Sequence, residues 1–188
     1  MAQSPPGADP LVDSSAVEHI SSLIRDVPDF PEPGIVFKDI TPVLADAKAF
    51  ADLIDRLVEP FYDANISKVA GIEARGFTLA TPVAGHLRAG FVPIRKPGKL
   101  PAATVREDYQ LEYGTDALEM HRDAVHKGER ILLVDDVIAT GGTAAAAIRL
   151  LRELGADVVG FSVFIELAFL DGAKLLDGVP LHALIRYD

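Results

Sequence analysis

The sequence predicts an α/β fold, with a doubly wound, mainly parallel sheet that carries helices on both faces. Short apolar segments are typical of strands buried on both sides of a sheet, and three of them stand at residues 68–72, 91–95 and 130–134. Segments with helical spacing follow the first and the third, from about Thr78 to Arg88 and from Thr143 to Leu154. Strands that alternate with helices in this way form parallel sheets.

The segments before this alternation are predicted to be helical after a short lead-in. Residues 1–14 are rich in proline and glycine and are expected to be disordered. Ser15 and Glu18 have the spacing of a helix-capping box, which predicts the start of a first helix. From Asp46, apolar residues on one stripe indicate a second helix. Because no repeat and no second domain is visible, residues 15–188 are expected to form a single domain.

A long polar segment, residues 97–117, interrupts the rhythm of strands and helices. It is rich in glycine and proline and is too long for a simple connection within a compact domain. The residues that follow, Leu118 to Val125, alternate in part between apolar and polar and could pair as a β-ribbon. Further strands are predicted at about 157–165 and 181–186.

The composition excludes several classes of protein. A net charge of −10 argues against nucleic acid as a partner, because general binding to nucleic acid requires a basic face. No apolar run reaches the roughly 18 residues that span a membrane, so no membrane partner is expected. The chain has no cysteine, which excludes disulfides and thiolate metal sites and fits a reducing cytoplasm.

One stretch of this acidic chain is purely basic. From Ala74 to Arg106 there is no aspartate or glutamate. The basic residues of this stretch are Arg75, Arg88, Arg95, Lys96, Lys99 and Arg106. Such a stretch indicates a small anionic ligand, although a chance cluster on a solvated face would give the same pattern.

The densest chemical signal follows the strand that ends at Val134. Asp135 and Asp136 stand at the strand end, where ligands of doubly wound sheets bind. The segment from Ala139 to Thr143 then leads into a helix and contains Thr140, Gly141 and Gly142. Glycines and a helix N-terminus present N–H groups to a phosphate, while carboxylates accept hydrogen bonds from ribose hydroxyls or hold Mg²⁺ through water. Together these residues predict a sugar-phosphate site.

These residues also carry a family resemblance. Val134 to Thr143 resembles the phosphoribosyl pyrophosphate signature of the type I phosphoribosyltransferases. Other segments resemble, in order, the sequence blocks of adenine phosphoribosyltransferases. Those segments are residues 34–42, 71–77, 94–101, 111–114 and 165–167. The match runs from about residue 20 to the C-terminus, and it implies the type I fold with a flexible β-ribbon hood at about residues 97–117.

The resemblance implies a reaction and its ligands. Adenine and 5-phosphoribosyl 1-pyrophosphate would give AMP and pyrophosphate by displacement at ribose C1′. Mg²⁺ would be held mainly by the substrate and, through water, by Asp135 and Asp136, with no direct protein ligand. Members of the family are homodimers, so a homodimer is expected.

The resemblance also implies roles for residues outside the loop. The residues that would bind pyrophosphate are Arg75, Arg95, Lys96 and Lys99. Glu112 in the hood would manage the proton of the purine, and Tyr113 lies beside it. Adenine would be bound by Val36, Phe37 and Lys38, although many relatives carry arginine in place of Lys38.

Two other functions remain open at this point. From Asp157 to Gly172 there is no lysine or arginine to donate to the C6 oxygen of a 6-oxopurine, which favours adenine. Backbone N–H groups could still serve a xanthine or hypoxanthine/guanine phosphoribosyltransferase. A non-catalytic regulator that binds phosphoribosyl pyrophosphate is the second alternative, but no basic recognition helix is visible.

Overall fold

The computed structural model describes residues 14–110 and 115–188, and the chain divides into two compact units between Leu53 and Ile54. Residues 1–13 of the expected lead-in therefore lie outside the described residues, as do Glu112 and Tyr113. Within the described ranges, no helix is long and apolar enough to cross a bilayer.

The first unit is built from short elements. Its helices are α1 (Ser14–Leu23), α2 (Thr41–Ala45) and the beginning of α3 (Ala47–Val58). Its strands β1 (Arg25–Pro28) and β2 (Val36–Asp39) pair antiparallel. This strand pair was not predicted, because four-residue strands leave too few positions to reveal a period. The Asp46 carboxylate accepts the Ala49 N–H at 2.8 Å, which caps the predicted second helix.

The second unit contains the predicted parallel sheet. Its strands are β3 (Lys68–Ile72), β4 (Gly90–Ile94), β7 (Arg130–Ile138), β8 (Asp157–Leu167) and β9 (Leu181–Tyr187). Their order across the sheet is β4-β3-β7-β8-β9, and every neighbouring pair is parallel. Two helices, α4 (Arg75–Leu87) and α5 (Gly142–Glu153), follow β3 and β7 directly. The α/β prediction is confirmed.

The strand order creates a crevice at one edge of this sheet. After β3 the chain moves to β4 on one side, whereas after β7 it moves to β8 and β9 on the other. The connections that leave the carboxyl ends of β3 and β7 therefore diverge. In doubly wound sheets, ligands bind in the crevice at such a switch point.

A two-stranded antiparallel ribbon supplements the sheet. It consists of β5 (Thr104–Gln110) and β6 (Thr115–His121), so the ribbon begins earlier than the predicted pairing at Leu118 to Val125. Val105, Leu118 and Met120 of the ribbon are buried in the main hydrophobic core together with residues of α5. The ribbon is thus anchored to the second unit by apolar packing as well as by its own hydrogen bonds.

Candidate active site

A cavity of about 340 Å³ lies at the switch point of the sheet. Its wall consists of the ends of β3 and β7, the two connections that follow them, the first turn of α5, and Lys96. The residues of this wall are Ile72, Glu73, Ala74, Arg75, Lys96, Asp135, Asp136, Val137, Ile138, Ala139, Thr140, Gly141, Gly142, Thr143 and Ala144. The cavity therefore brings together most of the residues that were singled out in the sequence.

The glycine-containing loop is shaped to bind an anion. Gly141 caps α5 with φ of +81°, a left-handed conformation that favours glycine. The first N–H groups of a helix have no intrahelical partner and, with the helix dipole, favour a negative charge. Thr140 and Thr143 add hydroxyl groups to the same wall.

A second glycine, absent from the predicted site, supports this loop from behind. A Cβ on Gly141 would lie 2.3 Å from the carbonyl oxygen of Gly172, and a Cβ on Gly172 would lie 2.1 Å from that of Ala139. The two backbones thus touch where neither can carry a side chain. Gly172 follows Gly141 by thirty-one residues, so the local sequence pattern held no signal for this contact.

The two acidic residues of β7 differ in surroundings. Both lie within the strand, which continues to Ile138 and so extends past the predicted end at Val134. Asp135 Oδ1 accepts the Asp136 N–H at 2.9 Å and packs against the start of α4, where a Cβ on Gly76 would lie 2.6 Å from it. Asp135 is half-buried by surface area, but its carboxyl lies deep among protein atoms. This burial, with repulsion from Asp136, raises the pKa of Asp135 well above its ordinary value.

Asp136 is buried and lies against a cation. Its Oδ2 is 2.8 Å from Nε of Arg75, although among the described residues this oxygen has no partner with hydrogen-bond geometry. Burial raises the pKa of Asp136, and the charge of Arg75 offsets part of that rise. Asp136 also lines the cavity, and a carboxylate there can accept a hydrogen bond from a ligand hydroxyl.

Glu73 binds two of the predicted pyrophosphate cations. Its side chain is 7% exposed, and its two oxygens lie 2.7 Å from Arg95 Nε and 2.7 Å from Lys99 Nζ. Burial alone would raise the pKa of Glu73, but the hydrogen bonds from Lys99 and Arg95 outweigh it, so the pKa is lowered. Arg95 and Lys99 do not line the cavity themselves but are attached to it through Glu73.

Lys96 is held by the ribbon. Its ammonium group donates to Asp116 of β6 and, at 3.0 Å, to the hydroxyl of Tyr109 of β5. Burial would lower the pKa of Lys96, but these two hydrogen bonds raise it. All four cations predicted for pyrophosphate are therefore paired with carboxylates, and the acids come from outside the acid-free stretch.

The predicted adenine-binding residues lie on β2 in the first unit. Val36 is exposed, and the ring of Phe37 contacts Phe30 edge to face with centroids 5.2 Å apart. Lys38 Nζ lies 2.7 Å from Asp26 Oδ1. Phe37 is half-buried.

Comparisons with known proteins agree with this geometry. Residues 38–175 match the phosphoribosyl transferase domain family. The chain is 55% identical over 177 residues to the adenine phosphoribosyltransferase of Myxococcus xanthus, which covers 94% of this chain and 96% of that protein.

Solved structures give the same result. A crystal structure of adenine phosphoribosyltransferase from Rhodothermus marinus is 55% identical, with a TM-score of 0.90 over 93% of this chain and 100% of that one. The Saccharomyces cerevisiae enzyme, complexed with an imino-altritol bisphosphate and adenine, is 37% identical, with a TM-score of 0.87 over 91% and 99% of the two chains. From the matched domain and from these relatives, we conclude that the chain belongs to the adenine phosphoribosyltransferase family.

Proposed function

We propose that the protein transfers the phosphoribosyl group of 5-phosphoribosyl 1-pyrophosphate to N9 of adenine, yielding AMP and pyrophosphate in purine salvage. The observation that carries the proposal is the cavity at the switch point, where an anion-binding loop, two carboxylates and cationic side chains meet. The yeast relative was crystallised with adenine and a bisphosphate, and the family relationship extends this ligand class to the present chain.

The 5′-phosphate of the donor is bound by the loop from Ala139 to Thr143. Backbone N–H groups of Gly141, Gly142 and Thr143 supply donors at the start of α5, and the helix dipole favours the charge. The Thr140 hydroxyl adds one further donor, whereas the Thr143 hydroxyl proton is donated to Tyr109 and Thr143 contributes its backbone N–H.

The ribose is bound by Asp135 and Asp136. The carboxylate of Asp136, a residue of the cavity wall, accepts a hydrogen bond from a ribose hydroxyl. Asp135 supports it from behind through the Asp136 N–H. Positive charge that develops at C1′ in the transition state is stabilised by these nearby carboxylates.

The pyrophosphate is bound by Arg75, Arg95, Lys96 and Lys99. Each of these cations is already paired with Asp136, Glu73 or Asp116. An incoming pyrophosphate therefore competes with these carboxylates for the same positive charges. We infer that this competition limits the affinity for pyrophosphate, which helps the product to leave.

Magnesium fits this site as a partner of the substrate. Among residues 14–110 and 115–188, no group of three or more histidine, aspartate or glutamate side chains could hold a metal. The two carboxylates within β7, Asp135 and Asp136, are hard oxygen donors, which suit Mg²⁺ through its water shell. When bound to the donor, Mg²⁺ would neutralise charge that builds up on the leaving pyrophosphate.

The acceptor base has a separate set of proposed contacts, which rest on the family resemblance. Val36, Phe37 and Lys38 bind adenine, and Glu112 removes the purine proton as the N9–C1′ bond forms and the bond from C1′ to pyrophosphate breaks. Glu112 and Tyr113 belong to the proposed hood, about residues 97–117, which excludes water from the reactive ribose.

Three wider proposals accompany the reaction. Residues 15–188 act as one phosphoribosyltransferase domain, the active species is a homodimer, and the enzyme works in the cytoplasm. Sedimentation at several protein concentrations tests the dimer, and cell fractionation tests the location. A monomer at all concentrations, or recovery outside the cytoplasmic fraction, would contradict these two proposals.

The proposed function is tested by single-turnover experiments with radiolabelled adenine, excess enzyme, phosphoribosyl pyrophosphate and Mg²⁺. The expected result is labelled AMP, with one pyrophosphate released for each AMP formed. Release of pyrophosphate without AMP would indicate hydrolysis instead, and absence of both products would contradict the proposal.

A further inference from the structure

Tyr109 contacts two residues of the cavity wall, Lys96 and Thr143, although it does not line the cavity itself. It lies on β5 with 5% of its surface exposed, and its ring is part of the hydrophobic core. Its hydroxyl contacts three side chains: Lys96 Nζ at 3.0 Å, Thr143 Oγ1 at 3.3 Å and Asp116 Oδ2 at 3.3 Å. None of these contacts was predicted from the sequence.

The three contacts use the full capacity of a phenol. A tyrosine hydroxyl has one donor and two acceptor positions. The ammonium of Lys96 can only donate, and the ionised carboxylate of Asp116 can only accept. The Tyr109 proton is therefore directed to Asp116, and both acceptor positions face Lys96 and Thr143. A buried hydroxyl satisfied in this way has a defined orientation.

Lys96 and Thr143 belong to opposite ends of the proposed donor site. Lys96 follows β4 and is proposed to bind pyrophosphate, whereas Thr143 stands in the first turn of α5 and is proposed to bind the 5′-phosphate. Both residues line the cavity. The Tyr109 hydroxyl contacts both, so its oxygen sets the distance between a pyrophosphate contact and a 5′-phosphate contact.

We propose that Tyr109 is a positioning residue of the donor site, whose hydroxyl holds Lys96 and Thr143 at the spacing required by the two ends of one phosphoribosyl pyrophosphate molecule. This inference rests on the proposed function. A lysine side chain has many rotamers, so a lysine that is already held loses less freedom when it binds. An ammonium has three N–H donors, and its bonds to Tyr109 and Asp116 leave one for a phosphate oxygen.

Asp116 completes the junction from the other strand of the ribbon. Tyr109 and Asp116 are direct cross-strand partners in the register of β5 and β6. Tyr109 and Lys96 both donate hydrogen bonds to Asp116 Oδ2. The end of the ribbon that carries the Gln110–Thr115 pair is thereby joined to the donor site by side chains that meet only when the ribbon is paired in this register.

The test uses Tyr109→Phe, which removes one oxygen and keeps the buried ring. Ribose 5-phosphate and pyrophosphate with Mg²⁺ serve as separate probes, and their dissociation constants are measured by calorimetry. Both constants should rise by roughly tenfold, the effect of losing a hydrogen bond to a charged or oriented group. The KM for adenine should stay within about twofold of the wild-type value.

Three comparison variants make the result specific. Thr143→Val should weaken ribose 5-phosphate alone, and Lys96→Met should weaken pyrophosphate alone. Tyr62→Phe is the matched control, because Tyr62 is 57% exposed and should change neither constant. A merely structural role for Tyr109 would lower the unfolding temperature without weakening both probes in the folded protein.

The outcomes separate this inference from the proposed function. Wild-type protein that binds neither probe would contradict the proposed function. Two outcomes would overturn the positioning role, provided that the wild type binds both probes. In the first, both dissociation constants are unchanged in Tyr109→Phe. In the second, the constant changes for one probe alone. If Tyr109→Phe does not fold, Asp116→Asn replaces it, since it removes the charge that orients the same hydroxyl and should weaken both probes.

Discussion

Replacement of Gly172 by alanine should disturb catalysis through a residue that touches no substrate. A Cβ at this position would lie 2.1 Å from the carbonyl oxygen of Ala139 and 2.8 Å from the amide nitrogen of Gly141. A carbon and a carbonyl oxygen in contact normally stay about 3.3 Å apart. One of the two backbones must therefore move by about 1 Å, and Ala139 belongs to the proposed 5′-phosphate loop.

The substitution should mainly lower the rate of reaction with phosphoribosyl pyrophosphate, because the displaced loop is proposed to bind its 5′-phosphate. Misplacement of a binding group by about 1 Å lowers rates by roughly 100-fold, so kcat/KM for phosphoribosyl pyrophosphate should fall by about that factor. Overpacking at a close contact costs about 1–3 kcal/mol of unfolding free energy. Most of the fold should survive such a loss, because the two glycines meet in loops at the edge of the sheet.

The assay measures kcat and KM with the donor varied, together with thermal unfolding. Gly85→Ala is the matched control, since Gly85 lies within α4 and a Cβ there meets nothing within 4 Å. Alanine in the interior of a helix is favourable, so this control should keep normal activity and equal or higher stability. Folded Gly172→Ala with kcat/KM within about twofold of the wild type would refute the argument.

Three further predictions concern ribose binding by Asp136, proton removal by Glu112 and the pH dependence of stability. Asp136→Asn should lower kcat by at least about 100-fold with a much smaller change in urea unfolding, and normal turnover would remove Asp136 from the ribose site. Glu112→Leu should slow single-turnover AMP formation while calorimetry finds unchanged donor binding; an unchanged rate would exclude the proton role. His182 is half-buried and its pKa is lowered by burial, so the unfolded chain binds its proton at higher pH than the folded protein. The stability from a neutral His182 is thus complete above the ordinary pKa of about 6.5 and is lost as pH falls below it. His182→Gln should flatten that dependence in unfolding titrations between about pH 7 and pH 5, and an unaltered slope would contradict the assignment.

The local sequence patterns were sufficient to predict the central strands of the parallel sheet. Continuous apolar runs marked β3 and β7 because both strands are buried on two faces. The acids within β7 and the glycines that follow it marked the site because they are close together in sequence, and the structure places them on one cavity wall. Residues that lie close together in sequence can be recognised as a site without knowledge of tertiary contacts.

The features that were not predicted from the sequence depend on contacts between distant segments. Gly172 meets Gly141 only after the chain has passed through α5 and β8. Asp116 reaches Tyr109 because of the register of the ribbon, which was predicted to pair later in the chain. Such contacts follow from topology and register, which local periodicity does not contain.

Three cations of the acid-free stretch are paired in space with acids that lie outside it. The acid-free stretch from Ala74 to Arg106 predicted a small anionic ligand, and its cations were expected to face that ligand directly. In the structure, Glu73 lies just before the stretch and binds Arg95 and Lys99, while Asp116 lies after it and binds Lys96. A stretch without acids can therefore be neutralised in space by its immediate neighbours, and the ligand must compete with them.

The family relationship makes this chain an enzyme that joins adenine to the phosphoribosyl donor. The most direct measurement is a coupled assay of pyrophosphate release with phosphoribosyl pyrophosphate and Mg²⁺, with adenine, hypoxanthine, guanine, xanthine and orotate offered in parallel. The prediction is strong turnover with adenine and none above background with the other four bases. Turnover with a 6-oxopurine, or none with any base although the donor binds, would contradict the account.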